Sequence, residues 1–387
     1  MKGFFSKFYL KSELSSGVVS LYMNRVILQI ANGMLGLFLP VFLYLSFDQN
    51  INYVIYYFMV GHIIYFFTCP IGAKVMSKIN LKRTLILSVP FLTLYYVSLY
   101  LFESDVLLFA IASIFFLTMY RMFYWVPYHT DFAEFTDKRN RGKQIGFLAS
   151  IASLVSIAVP FAGGFILDRF DFQTLFVIVI ILIIMSVIPF FLIRAVYEKY
   201  SFGYWETFKK LFHKKNRRNI LAYGADGAEN AVGVVLWPIF IWQILEGNYL
   251  TIGLISSIVV VVTIVIRLIM GKYTDKVKKK KLMRTGSILY AAGWIFKTFV
   301  TTGFQIFIAS TYHNFATVVM RTPFDALMYE KAADSGHYVD EYTVMREMSI
   351  NLGRVVMLCF MLAIIAFGGI NLAFPVAALV SLFINVL

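Results

Sequence analysis

The sequence predicts an all-α polytopic membrane protein of about twelve transmembrane helices arranged as two pseudo-symmetric six-helix bundles, and three observations lead there. Of the 387 residues, 60% are hydrophobic, roughly 230 positions, enough for eleven or twelve spans of ~20 residues. Charged residues make up 14% and aromatic residues 18%, whereas a soluble globular domain carries about 25% charge; a soluble fold is excluded. Finally, the polar residues gather between apolar runs, and the two halves of the chain repeat at a fixed offset.

Lys2, Lys7 and Lys11 precede the first apolar stretch, which has no short hydrophobic core followed by a small-residue cleavage site, so the first span is expected to be retained. Apolar runs long enough to cross ~30 Å of hydrocarbon predict helices over residues 17 to 46, 52 to 75, 84 to 102, 105 to 129, 144 to 167 and 173 to 196. Six more follow over 220 to 245, 249 to 271, 285 to 303, 304 to 329, 346 to 368 and 370 to 387. The boundary between the ninth and tenth spans is placed at Thr301-Thr302-Gly303, the polar interruption in that stretch. Cys69 and Cys359 lie inside apolar runs, which suits neither a disulfide framework nor a zinc site. No metal or other cofactor is expected.

The net charge of +14 follows the connectors. With the amino terminus inside, alternate loops hold Lys74, Lys78, Lys82 and Arg83, then Lys138, Arg139, Arg141 and Lys143, then the segment from Lys199 to Arg218, then Lys272 to Arg284. The opposite loops contain one basic residue, Arg169. This is the positive-inside pattern, with both termini cytoplasmic and the cell (inner or plasma) membrane as the expected location. The basic loops lack interleaved aromatic platforms for bases, so the charge implies topology and anionic lipid headgroups rather than nucleic acid. The connector 197–219 divides the chain into an N-terminal bundle, 1–196, and a C-terminal bundle, 220–387.

At a shift of about 200 residues Gly33 falls on Gly233, Arg121 on Arg321, Tyr124 on Phe324 and Tyr128 on Met328. Gly72 to Lys78 after the second span falls on Gly271 to Val277 after the eighth. Two parallel six-helix repeats with a ligand between them near the midplane form a known transporter plan. Gly271-x-x-x-Asp275 followed by Lys276, Lys278 to Lys281 and Arg284 resembles the loop signature of the major facilitator superfamily; the first-half copy keeps Gly72 and Arg83 but has Met76 in place of the acid. Glu134 with Arg141-Gly142 and Gly146 is similar to that family's passage from the fourth to the fifth helix, and Pro160-x-x-Gly163-Gly164 resembles the end of its antiporter motif, although Val155 and Val159 stand where that motif has glycines. The resemblance implies the two-bundle fold, alternating access, and gating loops at Gly72, Arg83, Gly271, Asp275 and Lys276. The direction of transport stays open.

A charge at the centre of a membrane helix costs on the order of 3 kcal/mol even on lenient scales, so it is expected to face a partner or water. Arg25 lies in the first span, Arg121 in the fourth, Asp226 and Glu229 in the seventh, and Arg321 with Asp325 in the tenth. In the resembled family these spans line the central cavity. Arg25 and Gln29, Arg121 and Trp125, and Arg321 and Asp325 are each four apart and share a helical face; Asp226 and Glu229, three apart, do so too. Two carboxylates close together in low dielectric do not readily both ionise, so Asp226 and Glu229 are the candidates for a coupling proton. Arg25, Gln29, Asn32, Arg121, Tyr124, Tyr128, Asn230, Arg321 and Asp325 are the candidates for binding an anionic or strongly polar solute. Two other roles stay open for the charges: a gate between the halves, and local pairing. Lys297, about six residues from the end of its span, is expected to snorkel to the interface. His62 and His313 are read as satisfied helix contacts.

The expected function is secondary active transport of a small polar or anionic solute, proton-coupled, by a chain that suffices as a monomer. Export of hydrophobic compounds by antiport is the alternative. A membrane enzyme or a sensor on the same scaffold is the reading from another class. No phosphate-binding loop of the Gly-Lys-Ser/Thr type occurs. The available acid and base groups, His129 with Asp131 and Glu134 and His337 with Asp340 and Glu341, show no nucleophile or metal-ligand pattern, so no catalytic residue is expected.

Overall fold

The computed structural model describes residues 16–135, 141–193, 200–274, 279–334 and 339–387, and among them every regular element is helical. In chain order the helices are α1 (Ser16–Leu35), α2 (Leu39–Ser46), α3 (Ile51–Ile79), α4 (Leu81–Tyr100), α5 (Val106–Phe135), α6 (Arg141–Arg169) and α7 (Phe172–Met185). The short connector helix α8 (Tyr204–Leu211) comes next. The second half holds α9 (Arg217–Ala231), α10 (Trp237–Ile244), α11 (Tyr249–Thr274), α12 (Lys279–Thr298), α13 (Gly303–Asp334), α14 (Val339–Gly368) and α15 (Ala373–Ser381). Seven of the described helical segments are long and apolar enough to cross a membrane, and the bent pair α1–α2 makes an eighth. Large apolar side chains such as Phe304, Phe367 and Leu268 stand exposed around the outside, as lipid-facing residues do.

The expected first span of 17 to 46 is one crossing broken in two. Its halves meet at 41° between Leu35 and Leu39. Pro40, which has no amide hydrogen and crowds the carbonyl four residues back, is the cause. The equivalent crossing of the second half is interrupted at the same height by a π-turn, Val232–Leu236, immediately before Pro238. There the wider turn absorbs the proline without a separate bend.

Neighbouring packing joins α1 to α5, α6 and α7 and α3 to α4 and α5 in the first half, and α9 to α14 and α15 and α12 to α13 and α15 in the second. The halves meet along two seams, α3 against α14 and α6 against α11, which exchange places under the repeat. Small residues allow the second seam to close: a methyl on Gly253 would stand 3.2 Å from the Cα of Gly164 and 2.6 Å from the Pro160 carbonyl. A third contact, α2 with α10, closes one end of the molecule. There the Gln243 amide donates to the Tyr44 hydroxyl at 3.2 Å and the Tyr44 and Trp242 rings stand edge to face.

The segment expected as a solvated basic linker contains an ordered element. Gly203 caps α8, with its amide donating to the Glu206 carboxylate at 3.1 Å, and Phe208 packs on Phe66 and Phe67 of α3. The chain before it is pinned to both halves: the Tyr200 amide donates to Ser77 on α3 at 2.8 Å, and the Ser201 amide and hydroxyl donate to Glu341 on α14 at 2.7 and 2.6 Å.

Candidate functional site

Arg121 and Arg354 fall at the middle of 30-residue helices, roughly 22 Å from either end at 1.5 Å per residue. They come from opposite halves and share a neighbour. His62 on α3 lies 3.4 Å from the Arg121 guanidinium and bonds through Nδ1 to the Asn351 amide oxygen at 2.8 Å. Both arginines lie within electrostatic reach of that imidazole. The same Nδ1 faces the Arg121 guanidinium and the Asn351 side chain, so the seam between the halves is held by a polar contact.

Arg354 Nη2 donates to the Asn230 side-chain oxygen at 3.0 Å and feels the charge of Asp226, one turn away on α9. From there the carboxylate cluster begins. Arg321 Nη2 stands 2.5 Å from Asp226 Oδ1 and 3.8 Å from Glu229 Oε1, and the Tyr290 hydroxyl on α12 donates to Glu229 Oε2 at 2.6 Å. One arginine therefore serves both carboxylates, and both its partners belong to its own half. Asp325, expected to share a helical face with Arg321 one turn along α13, stays within electrostatic reach of it. The closer ion pair reaches across to α9 because Asp226 and Glu229 are buried against that face.

In the first half Arg25 lies over the Trp125 and Tyr128 rings, 5.6 and 5.5 Å from their centroids. Those rings continue a ladder in which Tyr120, Tyr124 and Tyr128 stack along α5 at 5.0 and 5.4 Å. Aromatic faces hold a cation without neutralising it. Among the described residues no carboxylate lies within 4.0 Å of the Arg25, Arg121 or Arg354 guanidinium. Gln29 does not follow Arg25 to α5 and instead bonds Ser156 on α6. Asn32 accepts from the Tyr96 hydroxyl at 2.7 Å. Beside Gln29 a cavity of about 280 Å³ opens between the halves, lined by Ser153, Thr263, Arg267 and Asn314 among others.

Several expectations are corrected. Gly72 is not a loop residue: α3 runs on to Ile79, and Gly72 sits inside it where a methyl would meet Met122 of α5. Gly271 likewise belongs to the last turn of α11. Arg83 is exposed in the first turn of α4, its amide donating to the Asn80 cap at 3.0 Å. Asp275 and Lys276 lie outside the described residues, as does His337. Lys297 does not snorkel. It is 4% exposed, with Nζ 4.1 Å from the Trp294 and 4.5 Å from the Trp237 ring centroid, and it feels the charge of Glu229. Two indoles and a carboxylate hold the ammonium inside where the interface was expected to hold it. His313 packs against Tyr290 and Trp294, 4.4 and 4.7 Å between centroids. Sequence reasoning missed Arg354, Asn351 and Tyr290; an intramembrane arginine at residue 354 was the available signal.

The profile of the Major Facilitator Superfamily matches residues 219–387. A D-xylose-proton symporter has the same fold over 96% of this chain and 97% of its own, with a TM-score of 0.67 at 13% identity. By fold the chain resembles that symporter, and in sequence its second half matches the superfamily profile. The Escherichia coli fucose:proton symporter aligns over 95% of this chain and 97% of its own, with a TM-score of 0.63 at 14% identity. The human organic anion transporter MFSD10 aligns over 97% and 100%, with a TM-score of 0.70 at 10% identity. These likenesses are of fold. In sequence, the uncharacterized protein YqgE of Bacillus subtilis (strain 168) is 27% identical over 259 residues, 62% of this chain. The match spans 58% of that relative's length. The fold and the apolar helices place the chain in a membrane.

Proposed function

We propose that the chain is a secondary active transporter that moves a small polar or anionic solute by alternating access, driven by protons taken up at Asp226 and Glu229. The observation that carries this reading is the division of charge. Arg25, Arg121 and Arg354 have no carboxylate within ion-pair distance among the described residues, while Arg321 is held by two. A cation in a low-dielectric interior without a counter-ion is costly, and an anionic or hydrogen-bond-accepting solute lowers that cost where the two halves face each other. The polar walls beside Gln29 and Asn314 favour such a solute over a hydrophobic one.

The coupling step follows from the same geometry. With both carboxylates ionised, Arg321 is occupied. A proton on Glu229 removes one of its two counter-charges, leaves the Tyr290 hydrogen bond in place, and takes the cluster of two carboxylates and one guanidinium from net negative to neutral, so that an anionic solute can approach. Release of the proton reverses this. The basic connectors are assigned to the cytoplasm, and the α2–α10 contact then closes the outer end. One chain contains both halves, so a monomer suffices.

The test is accumulation in proteoliposomes under an imposed inward proton gradient, using a panel of radiolabelled carboxylates, phosphates and neutral sugars, with hydrophobic cations as the contrast. The reading expects one of the polar or anionic solutes to accumulate, a protonophore to abolish it, and Arg121→Gln and Arg354→Gln each to lower it at least tenfold. Accumulation or expulsion of hydrophobic cations alone, unaltered by those substitutions, would refute it.

A further inference from the structure

Between α8 and the ends of α9, α13 and α14 lies a cavity of about 770 Å³, far from the charges at the middle of the bundle. Lys210, His213, Lys215 and Lys331 line it, with Glu206 as the one acid among the described residues of its wall. Arg218 and Lys280 add their charge at Lys331. The walls are built and held. Lys331 Nζ donates to Asn219 at 3.0 Å and to the Leu387 carbonyl at 2.8 Å. Asn216 ties the end of α8 down through the Lys210 carbonyl at 2.8 Å. Lys210 stands over the Phe202 ring, 5.6 Å from its centroid. His213 Nδ1 accepts from the Lys215 amide at 3.3 Å, so a neutral His213 carries its proton on Nε2 and has a second donor to offer. Glu206 is engaged by the Gly203 amide.

Cations gathered round one concavity repel each other and raise the local concentration of anions. Lysines, being compact charges with several donors each, suit phosphate oxygens. Trp205 on α8 and Phe212 at its C-terminal cap, 73% and 53% exposed, give this segment an apolar edge of the kind that lies in a headgroup layer. We propose that this cavity is a binding site for a phosphate-bearing anion of two or more charges, either the headgroup of an anionic lipid or a soluble phosphate compound. The site joins the connector to α14 through Ser201 and Glu341.

The test uses the full chain in detergent titrated with inorganic pyrophosphate by calorimetry, and in nanodiscs with and without phosphatidic acid, followed by native mass spectrometry. The double variant Lys210→Gln/Lys215→Gln removes two cavity cations; Lys209→Gln/Lys214→Gln removes the same charge from the same segment outside the cavity lining. The expected result is saturable binding of one anion that weakens at least tenfold in the first variant and less than twofold in the second. Retention of pyrophosphate alone identifies a soluble ligand, and retention of phosphatidic acid alone identifies the headgroup. Equal losses in both variants, or no binding of either probe by a chain whose melting temperature is normal, would overturn the assignment.

Discussion

Removing the Asp226 carboxylate while keeping Arg321 takes away the closer of the guanidinium's two partners, at 2.5 Å, and leaves it Glu229 at 3.8 Å, a change that costs on the order of 1 to 3 kcal/mol. Asp226→Asn is therefore expected to lower the melting temperature in detergent by several degrees, and Asp226→Asn/Arg321→Gln to recover part of the loss; additive losses would show that the pair is not coupled. Tyr290 gives a finer test. Its hydroxyl donates to Glu229, so Tyr290→Phe is expected to shift the pH dependence of transport while leaving solute exchange at equilibrium within about threefold. At the far end of the molecule Asp171 caps α7. The Thr174 amide, donating at 2.7 Å, holds its carboxyl below the usual range. A folded-state value below the unfolded one stabilises above the unfolded value, and the benefit fades as pH falls through the folded one. Asp171→Ala is expected to cost about 1 kcal/mol at neutral pH and nearly nothing in strong acid, by melting curves at each pH. Spacing alone made Asp226 and Glu229 legible as a pair and Arg321 as an intramembrane charge. The partners of Arg354 and Asn351 and the burial of Lys297 were not legible, because each depends on a helix from elsewhere in the chain: α9, α3 and α10 respectively.

Helices come together in this molecule through glycine. A methyl on Gly353 would land on the Gly224 carbonyl, and one on Gly227 on the Ile350 carbonyl, so α9 and α14 touch along two turns inside the second half. The Gly164–Gly253 crossing instead lies on the α6–α11 seam between halves. Overpacking costs about 1 to 3 kcal/mol, but the two places are expected to report it differently. Gly353→Ala is expected to destabilise the fold, and Gly164→Ala to leave the melting temperature within a few degrees while slowing transport at least fivefold. A comparable melting loss in both would argue that the seam is static. Apolar run length located most helices, including the break at Thr301 to Gly303, where α12 ends at Thr298 and α13 starts at Gly303. It misjudged helix ends where polar residues continue the coil, as α3 does through Lys74 and Lys78 to Ile79. Hydrophobicity marks the part of a helix inside lipid, and backbone hydrogen bonding continues past it. The order in α8 escaped notice for the same reason, its apolar contacts being with α3 and α14, far away in the chain.

The molecule as a whole is two repeats that differ in charge. The first presents arginines on aromatic and imidazole partners, whereas the second adds the carboxylates. The offset near 200 residues that aligned Arg121 with Arg321 pointed to equivalent depth, and it could not show that Arg121 meets His62 while Arg321 meets Asp226 and Glu229. If protonation of that second cluster drives the halves to rock, the α2–α10 end must open and close with pH even without solute. Spin labels at the exposed positions Tyr53 and Leu254, with Cys359 replaced, report that distance by double electron–electron resonance in nanodiscs. The account expects the wild-type distance distribution to change between neutral and acidic pH, and Glu229→Gln to hold the acidic distribution at both. A pH response of the same size in Glu229→Gln as in wild type would contradict it.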